Sequence, residues 1–225
     1  MAHATAPTVL IPEQRLTMTY EEFLDWTGTE GAHGEWVDGE VIVFMPRTKL
    51  HQDAMLFLAV VLRLYVRYFD LGTVVISPFE MRLSARSSRQ PDLLFVARAN
   101  EARLTPERLL GPADLAVEFV SPDSVRRDGV DKRDEYAAGG VAEYWLFDAR
   151  PQRQRAECSR RVDGRYEPIP PAADGRLHSV VVPGFWLRPG WLWQDPLPDP
   201  LDCLDEIAPE VLQRSRRGGG VVDRG

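Results

Sequence analysis

A single glutamate interrupts one of the most apolar stretches of this chain. Leu115-Ala116-Val117-Glu118-Phe119-Val120 is otherwise continuously apolar, a pattern that predicts a short strand buried on both faces. Alternation with period two puts Leu115, Val117 and Phe119 on one face and Ala116, Glu118 and Val120 on the other. An ionised carboxylate in such a place is costly unless it is paired or holds a metal, so the fold has to bring a cation to Glu118. A second apolar run, Leu93-Leu94-Phe95-Val96, follows Pro91-Asp92. It reads as a neighbouring buried strand, with Asp92 at its start as a second oxygen ligand.

The cation has a candidate. The spacing predicts a helix from about Asp128, with Lys132 and Tyr136 stacked four residues apart and Gly139-Gly140 as its stop. Of the 27 Lys and Arg residues only Lys49 and Lys132 are lysines, so arginine serves almost wherever a solvated positive charge is enough. Lysine offers a compact point charge that fits beside a phosphate or a water, where arginine offers a broad planar fork. Lys132 therefore reads as specified by chemistry.

With these residues in place the chain resembles a known family. Pro91-Asp92, Val117-Glu118-Phe119-Val120-Ser121-Pro122, Asp131-Lys132-Arg133-Asp134-Glu135-Tyr136 and Gly140-Val141-Ala142-Glu143-Tyr144-Trp145 look like the Uma-two family of restriction endonucleases, within the PD-(D/E)XK nuclease-like superfamily. Gly34-Glu35-Trp36-Val37-Asp38-Gly39-Glu40 and His51 resemble its amino-terminal signature. The superfamily lysine would stand two residues after the glutamate, where this chain has Val120; the resemblance implies that Lys132 replaces it from the following helix. It also raises Glu35, by itself an exposed strand-end acid, to a third acidic member of the site, and places His51 nearby. Gln90, beside Asp92, and Tyr136 are accessory candidates.

The resemblance implies an α/β fold: a restriction-endonuclease-like mixed β-sheet core flanked by helices, with an antiparallel β extension. The expected division is a flexible arm over 1–18, the nuclease-like domain over 19–195, and a linker, short helix and disordered tail over 196–225. Within the domain, Thr19-Tyr20-Glu21-Glu22 fits a capping box opening a short helix. Glu35-Trp36-Val37 and Val41-Ile42-Val43-Phe44 flank an Asp38-Gly39 hairpin turn. Apolar positions from Leu50 to Phe69 recur at helical spacing, and Thr73–Ile76 and Phe79–Leu83 read as strands. Ser84 to Gln90 reads as a polar loop, and Thr105-Pro106-Glu107 as a helix start. Glu143–Asp148, Gln154–Val162, Tyr166–Ile169 and His178–Val182 read as further strands, and Leu201–Leu212 as a terminal helix. Phe185, Trp186 and Trp191 are expected to bury against a second copy of the chain, giving a homodimer.

A net charge of −7 argues against a dedicated basic nucleic-acid binder, yet the arginines cluster. Arg82, Arg86 and Arg89 precede Asp92, Arg126 and Arg127 follow Glu118, and six lie between Arg150 and Arg165, the last group reading as a solvated surface. No apolar run approaches the ~20 residues of a bilayer span, so a cytoplasmic protein without a membrane partner is expected. Cys158 and Cys203 have no metal-ligand spacing and read as reduced and structural.

The leading functional reading, implied by the resemblance, is a divalent-metal-dependent endonuclease acting on DNA. Asp92, Glu118 and the Phe119 carbonyl would hold Mg²⁺ or Mn²⁺, which suit hard oxygen ligands. Lys132 would stabilise charge on the phosphate, and Glu35 would position water or bind a second metal. Two rivals stand beside it: a non-catalytic nuclease-fold module that binds nucleic acid or assembles, and a buried Glu118–Lys132 ion pair without a metal.

Overall fold

The computed structural model describes residues 15–30, 34–43, 48–120 and 127–217. From the amino end run β1 (Arg15–Thr17), α1 (Tyr20–Glu30), the hairpin β2 (Gly34–Val37) and β3 (Glu40–Val43), and the long α2 (Lys49–Tyr68). Then come β4 (Gly72–Ile76), β5 (Glu80–Ser84), β6 (Ser87–Arg89), β7 (Leu93–Ala97), a 3-10 turn at Arg98–Arg103, β8 (Arg108–Leu110) and β9 (Leu115–Phe119). A π-helical turn at Arg127–Asp131 runs into α3 (Lys132–Gly139), followed by β10 (Glu143–Asp148) and the hairpin β11 (Arg155–Val162) and β12 (Arg165–Pro168). A small pair, β13 (Leu177–His178) and β14 (Trp186–Leu187), precedes α4 (Pro200–Ile207) and α5 (Pro209–Arg217).

The strands form two six-stranded sheets, ordered β1-β3-β2-β6-β5-β8 and β12-β11-β10-β9-β7-β4. In the second, β9 lies between β7, antiparallel with Leu93 opposite Val117, and β10, parallel with Leu146 opposite Glu118. Alternation along β9 is as the sequence predicts. Leu115, Val117 and Phe119 join the core built with α2, while Ala116 and Val120 join the other core with Tyr136, Tyr144 and Met81. Glu118 shares that second face, between the sheets and under α3.

Three glycines fix this geometry. A Cβ at Gly139 would stand 2.5 Å from the Leu83 side chain, so glycine lets α3 lie close on β5. Gly72, at φ +147, would bring a Cβ within 2.1 Å of the Val96 carbonyl oxygen where β4 pairs with β7. Gly140, at φ 98, ends α3 by donating its N–H to the Tyr136 carbonyl.

Several expectations are corrected. Residues 84–90 are not a loop throughout: Ser87, Ser88 and Arg89 form the buried strand β6. Its polar side chains have polar partners, as in the 2.7 Å bond from Ser88 Oγ to Glu80, so hydrophobic patterning cannot reveal it. Thr105 does not start a helix. Its hydroxyl accepts from the Glu107 and Arg108 amides, closing a turn from which β8 pairs parallel with β5. The strand expected at His178–Val182 shortens to Leu177–His178, because the Val180 and Val181 amides instead donate to the Glu143 carboxylate at 2.9 and 3.0 Å.

The carboxy-terminal aromatics are likewise covered by their own chain. Phe185, Trp186 and Trp191 are buried in the α2-side core, Phe185 with its ring 5.2 Å from that of Tyr65. The reason for expecting them to bury against a second copy is thereby removed. Two helices stand where one was expected, and Cys203, Leu204, Ala208 and Val211 join the same core. Arg15–Thr17, within the expected arm, pairs with β3 as an edge strand. Residues 1–14, Phe44, Ser121-Pro122, Arg126 and the tail from 218 lie outside the described residues. Cys158 and Cys203 are free and buried. Among the described residues no helix is long and apolar enough to cross a membrane.

Candidate functional site

The two sheets meet in a buried cluster of charge. Glu118 enters from β9, its Oε1 accepting from Lys132 Nζ at 2.7 Å and from the Tyr136 hydroxyl at 2.8 Å. Lys132 and Tyr136 are one helical turn apart on α3, so one helix face supplies both donors. Glu35, fully buried on β2, meets the same lysine at 2.9 Å through Oε1 and takes the Gln90 amide at 3.0 Å. Arg89, at the end of β6, donates from Nη1 to Glu35 Oε2 at 3.0 Å and from Nε to Glu135 at 2.9 Å.

Asp92 lies just before β7, one step from the Leu93–Val117 pair. It is thus beside Glu118 and, by alternation, on the same sheet face. Its Oδ2 accepts from the Phe119 amide at 2.8 Å, and its Oδ1 is 3.5 Å from His51 Nε2. The Phe119 main chain thus reaches the site while its ring packs in the opposite core. Seven of the sequence candidates, Glu35, His51, Gln90, Asp92, Glu118, Lys132 and Tyr136, therefore gather from different elements. Lys49 does not. It is exposed and paired with Asp53.

Sequence reasoning missed Asp128 and Glu135 and gave Arg89 too small a part. Asp128 is buried, with Oδ1 3.4 Å from Lys132 Nζ, and its place four residues before Lys132 was the available signal. Glu135 binds Arg89 and Ser87; with its strand partner hidden in a polar stretch, no pattern along the chain pointed to it. Several of the other described arginines have partners of their own. Arg82 lies 3.5 Å over the Tyr20 ring, Arg86 meets Asp38, Arg150 meets Asp148 and Arg160 meets Glu167.

Among the described residues, Glu35, Asp92, Glu118, Asp128 and Glu135 are gathered around Arg89 and Lys132. Burial pushes the Glu118 carboxyl up to about 8; Lys132 opposes the shift, while Asp128, Asp92 and Glu35 add to it. Burial works against the Arg89 charge, but Glu35 and Glu135 outweigh it and raise its pKa. Burial also raises the Tyr136 hydroxyl, keeping it a donor to Glu118.

Among the described residues no group of three or more His, Cys, Asp or Glu side chains is arranged to hold a metal ion. The donors do suit a hard cation in a different way. Two carboxylates sit on adjacent strands, and Glu118 Oε2 is buried without a hydrogen-bond partner among the described residues. Oxygen donors with remaining positions for water or substrate are what Mg²⁺ and Mn²⁺ accept.

A family model described as "Putative restriction endonuclease", Uma2, matches residues 20–190, a span that includes every member of the cluster. Among solved structures, one described as a "putative nuclease belonging to DUF820" from Anabaena variabilis ATCC 29413 has a TM-score of 0.59 and 18% identity. That match covers 79% of this chain and 97% of the other, a likeness of fold. No curated protein matches the chain. Because the family model covers well over half of the chain, with all the elements that deliver the buried acids, the chain belongs to the Uma2 family.

Proposed function

We propose that this protein is a divalent-metal-dependent endonuclease that hydrolyses DNA phosphodiester bonds. The observation that carries the reading is the convergence of Glu35, Asp92, Glu118 and Lys132 from separate elements at the junction of the sheets. Asp92, Glu118 and the Phe119 carbonyl would hold Mg²⁺ or Mn²⁺. When bound, such an ion polarises a phosphoryl oxygen and makes a bound water more acidic.

The chain's own groups have distinct tasks. Lys132 presents a compact charge beside Glu118, where it neutralises charge growing on a phosphate oxygen. Glu35 shares that ammonium and orients the attacking water. Arg89 holds Glu35 through its second oxygen, and Tyr136 fixes the angle of the Glu118 carboxylate.

A second reading has its own observation. Lys132 is fully buried and already within 3.4 Å of three carboxylates, as a purely structural ion network would require. On that reading the fold is a non-catalytic module, and Lys132→Ala destabilises it by about 3–5 kcal/mol by leaving acids unpaired.

Plasmid cleavage with Mn²⁺, Mn²⁺ affinity and melting temperature, measured on wild type, Lys132→Ala and Lys132→Arg, separate the two. The nuclease reading expects Lys132→Ala to keep most metal affinity and lose cleavage by about 100-fold or more. It also expects Lys132→Arg to lose most activity despite its charge, because the guanidinium differs in shape and hydration. Equal cleavage by all three proteins would remove Lys132 from the mechanism. A wild type that cleaves nothing with any metal would leave the structural reading standing.

A further inference from the structure

Beside the acids lies a cavity of about 200 Å³. It opens where the start of α2, the end of β9 and the residues after β10 come together. Five of its eight lining residues are apolar, among them Phe119, Val120 and Pro151. The polar ones are Thr48, His51 and Arg150.

Two of these say what the cavity can take. His51 is 5% exposed, and neither ring nitrogen has a hydrogen-bond partner among the described residues. Buried polar atoms of this kind call for a ligand or water with complementary groups. Arg150 is held by Asp148 through Nε at 2.8 Å and Nη2 at 2.6 Å. Its charge is thereby answered within the chain, leaving a fixed planar face rather than a bare cation. Apolar walls and a neutralised arginine are a poor receptacle for phosphate and a good one for a flat heteroaromatic ring. The volume is below the roughly 300–1,000 Å³ of sites for drug-sized ligands, which suits one base and not a base pair.

Resting on the nuclease reading, we infer that this cavity seats a single unpaired nucleobase next to the scissile phosphate, so that the preferred substrate is DNA with an unstacked or single-stranded nucleotide at the cut. The adjacency is direct: His51 lies 3.5 Å from Asp92, and Phe119 donates its amide to Asp92. A base inside a duplex cannot enter without leaving its stack, whereas a single strand offers its bases freely.

Fluorescence anisotropy in EDTA tests this on the full chain, using a labelled single strand and the blunt duplex of the same sequence. The single strand should bind about tenfold tighter, and one abasic residue moved along it should find a position where affinity falls about tenfold. Ala149→Leu, which fills the cavity from its wall without touching the acids, should erase both effects. Should that variant not fold, Leu50→Trp, a change at another part of the cavity wall, takes its place and should weaken the single strand while leaving the duplex unchanged. Equal binding of strand and duplex, an abasic scan with no sensitive position, or a folded Ala149→Leu with full strand preference overturns the inference. Cleavage with Mn²⁺ is scored separately. A sensitive abasic position in a chain that never cleaves keeps the cavity's role and defeats the nuclease reading. Cleavage of intact duplex without strand preference does the opposite.

Discussion

Glu118 and Glu143 lie on the neighbouring parallel strands β9 and β10, and neither is exposed to solvent. Burial raises both carboxyls. Their surroundings nevertheless differ in kind. Glu143 fills both oxygens with neutral donors: Oε1 accepts from Trp145 Nε1 at 2.5 Å, and Oε2 from the Ser179 hydroxyl at 2.9 Å and the Val180 and Val181 amides. Glu118 meets a cation and a tyrosine on one oxygen and leaves the other without a hydrogen bond among the described residues. Glu143 is saturated and staples the segment after β13 to the sheet. Glu118 retains capacity to bind something more, and that remaining capacity is what separates a site from a scaffold.

The contrast can be broken at three places. The largest effect is expected from Asp92→Asn, which should lower Mn²⁺ affinity by about 100-fold, or about 2.7 kcal/mol, while circular dichroism reports a folded chain. Unchanged affinity by calorimetry would remove Asp92 as a ligand. Next, Glu143→Gln should leave Mn²⁺ affinity alone and destabilise the fold by about 1–3 kcal/mol in urea, because an amide cannot accept at both ends. Loss of metal binding in that variant would erase the distinction between the two acids.

The smallest effect is a slope. The Glu118 carboxyl is raised from 4.5 to about 8, so between those values the unfolded chain gives up a proton that the folded chain keeps. In EDTA, stability should therefore fall as pH rises through this window, with the contribution intact below it and gone above it. Glu118→Gln should flatten the fall more than Glu143→Gln does, as read from urea midpoints at about pH 5 and about pH 8. Equal slopes in the two variants would show that the two glutamates feel burial alike.

What the sequence made legible was what had an apolar frame. Glu118 stood out because Val117 and Phe119 flank it, and the face assigned to it by alternation is the face it occupies. Lys132 and Tyr136 followed from helical spacing and from the scarcity of lysine. Glu35 required the family resemblance, since its strand is short and its burial comes from contacts far along the chain. Arg89, Ser87 and Ser88 were hidden because patterning detects burial through apolar residues, and β6 is buried through polar ones. Thr105 carried a genuine capping signal, but a turn into β8 used the same hydroxyl. The carboxy-terminal aromatics were recognised as a cluster and assigned the wrong cover, because sequence shows what must be buried and not by which surface.

Strand β6 has a consequence for the order in which the molecule comes together. Its Arg89 joins Glu135, 46 residues on, and the neighbouring Gln90 amide joins Glu35, 55 residues back. Contacts so distant in the chain form only after large loops have closed, and they are slow to accumulate. The acids themselves are divided, Glu35 on one sheet and Glu118 on the other. A chain in which either sheet has formed alone therefore holds only half of the cluster. The site comes into existence at the docking of the sheets, so any activity it has begins with the finished fold and has no partly folded forerunner.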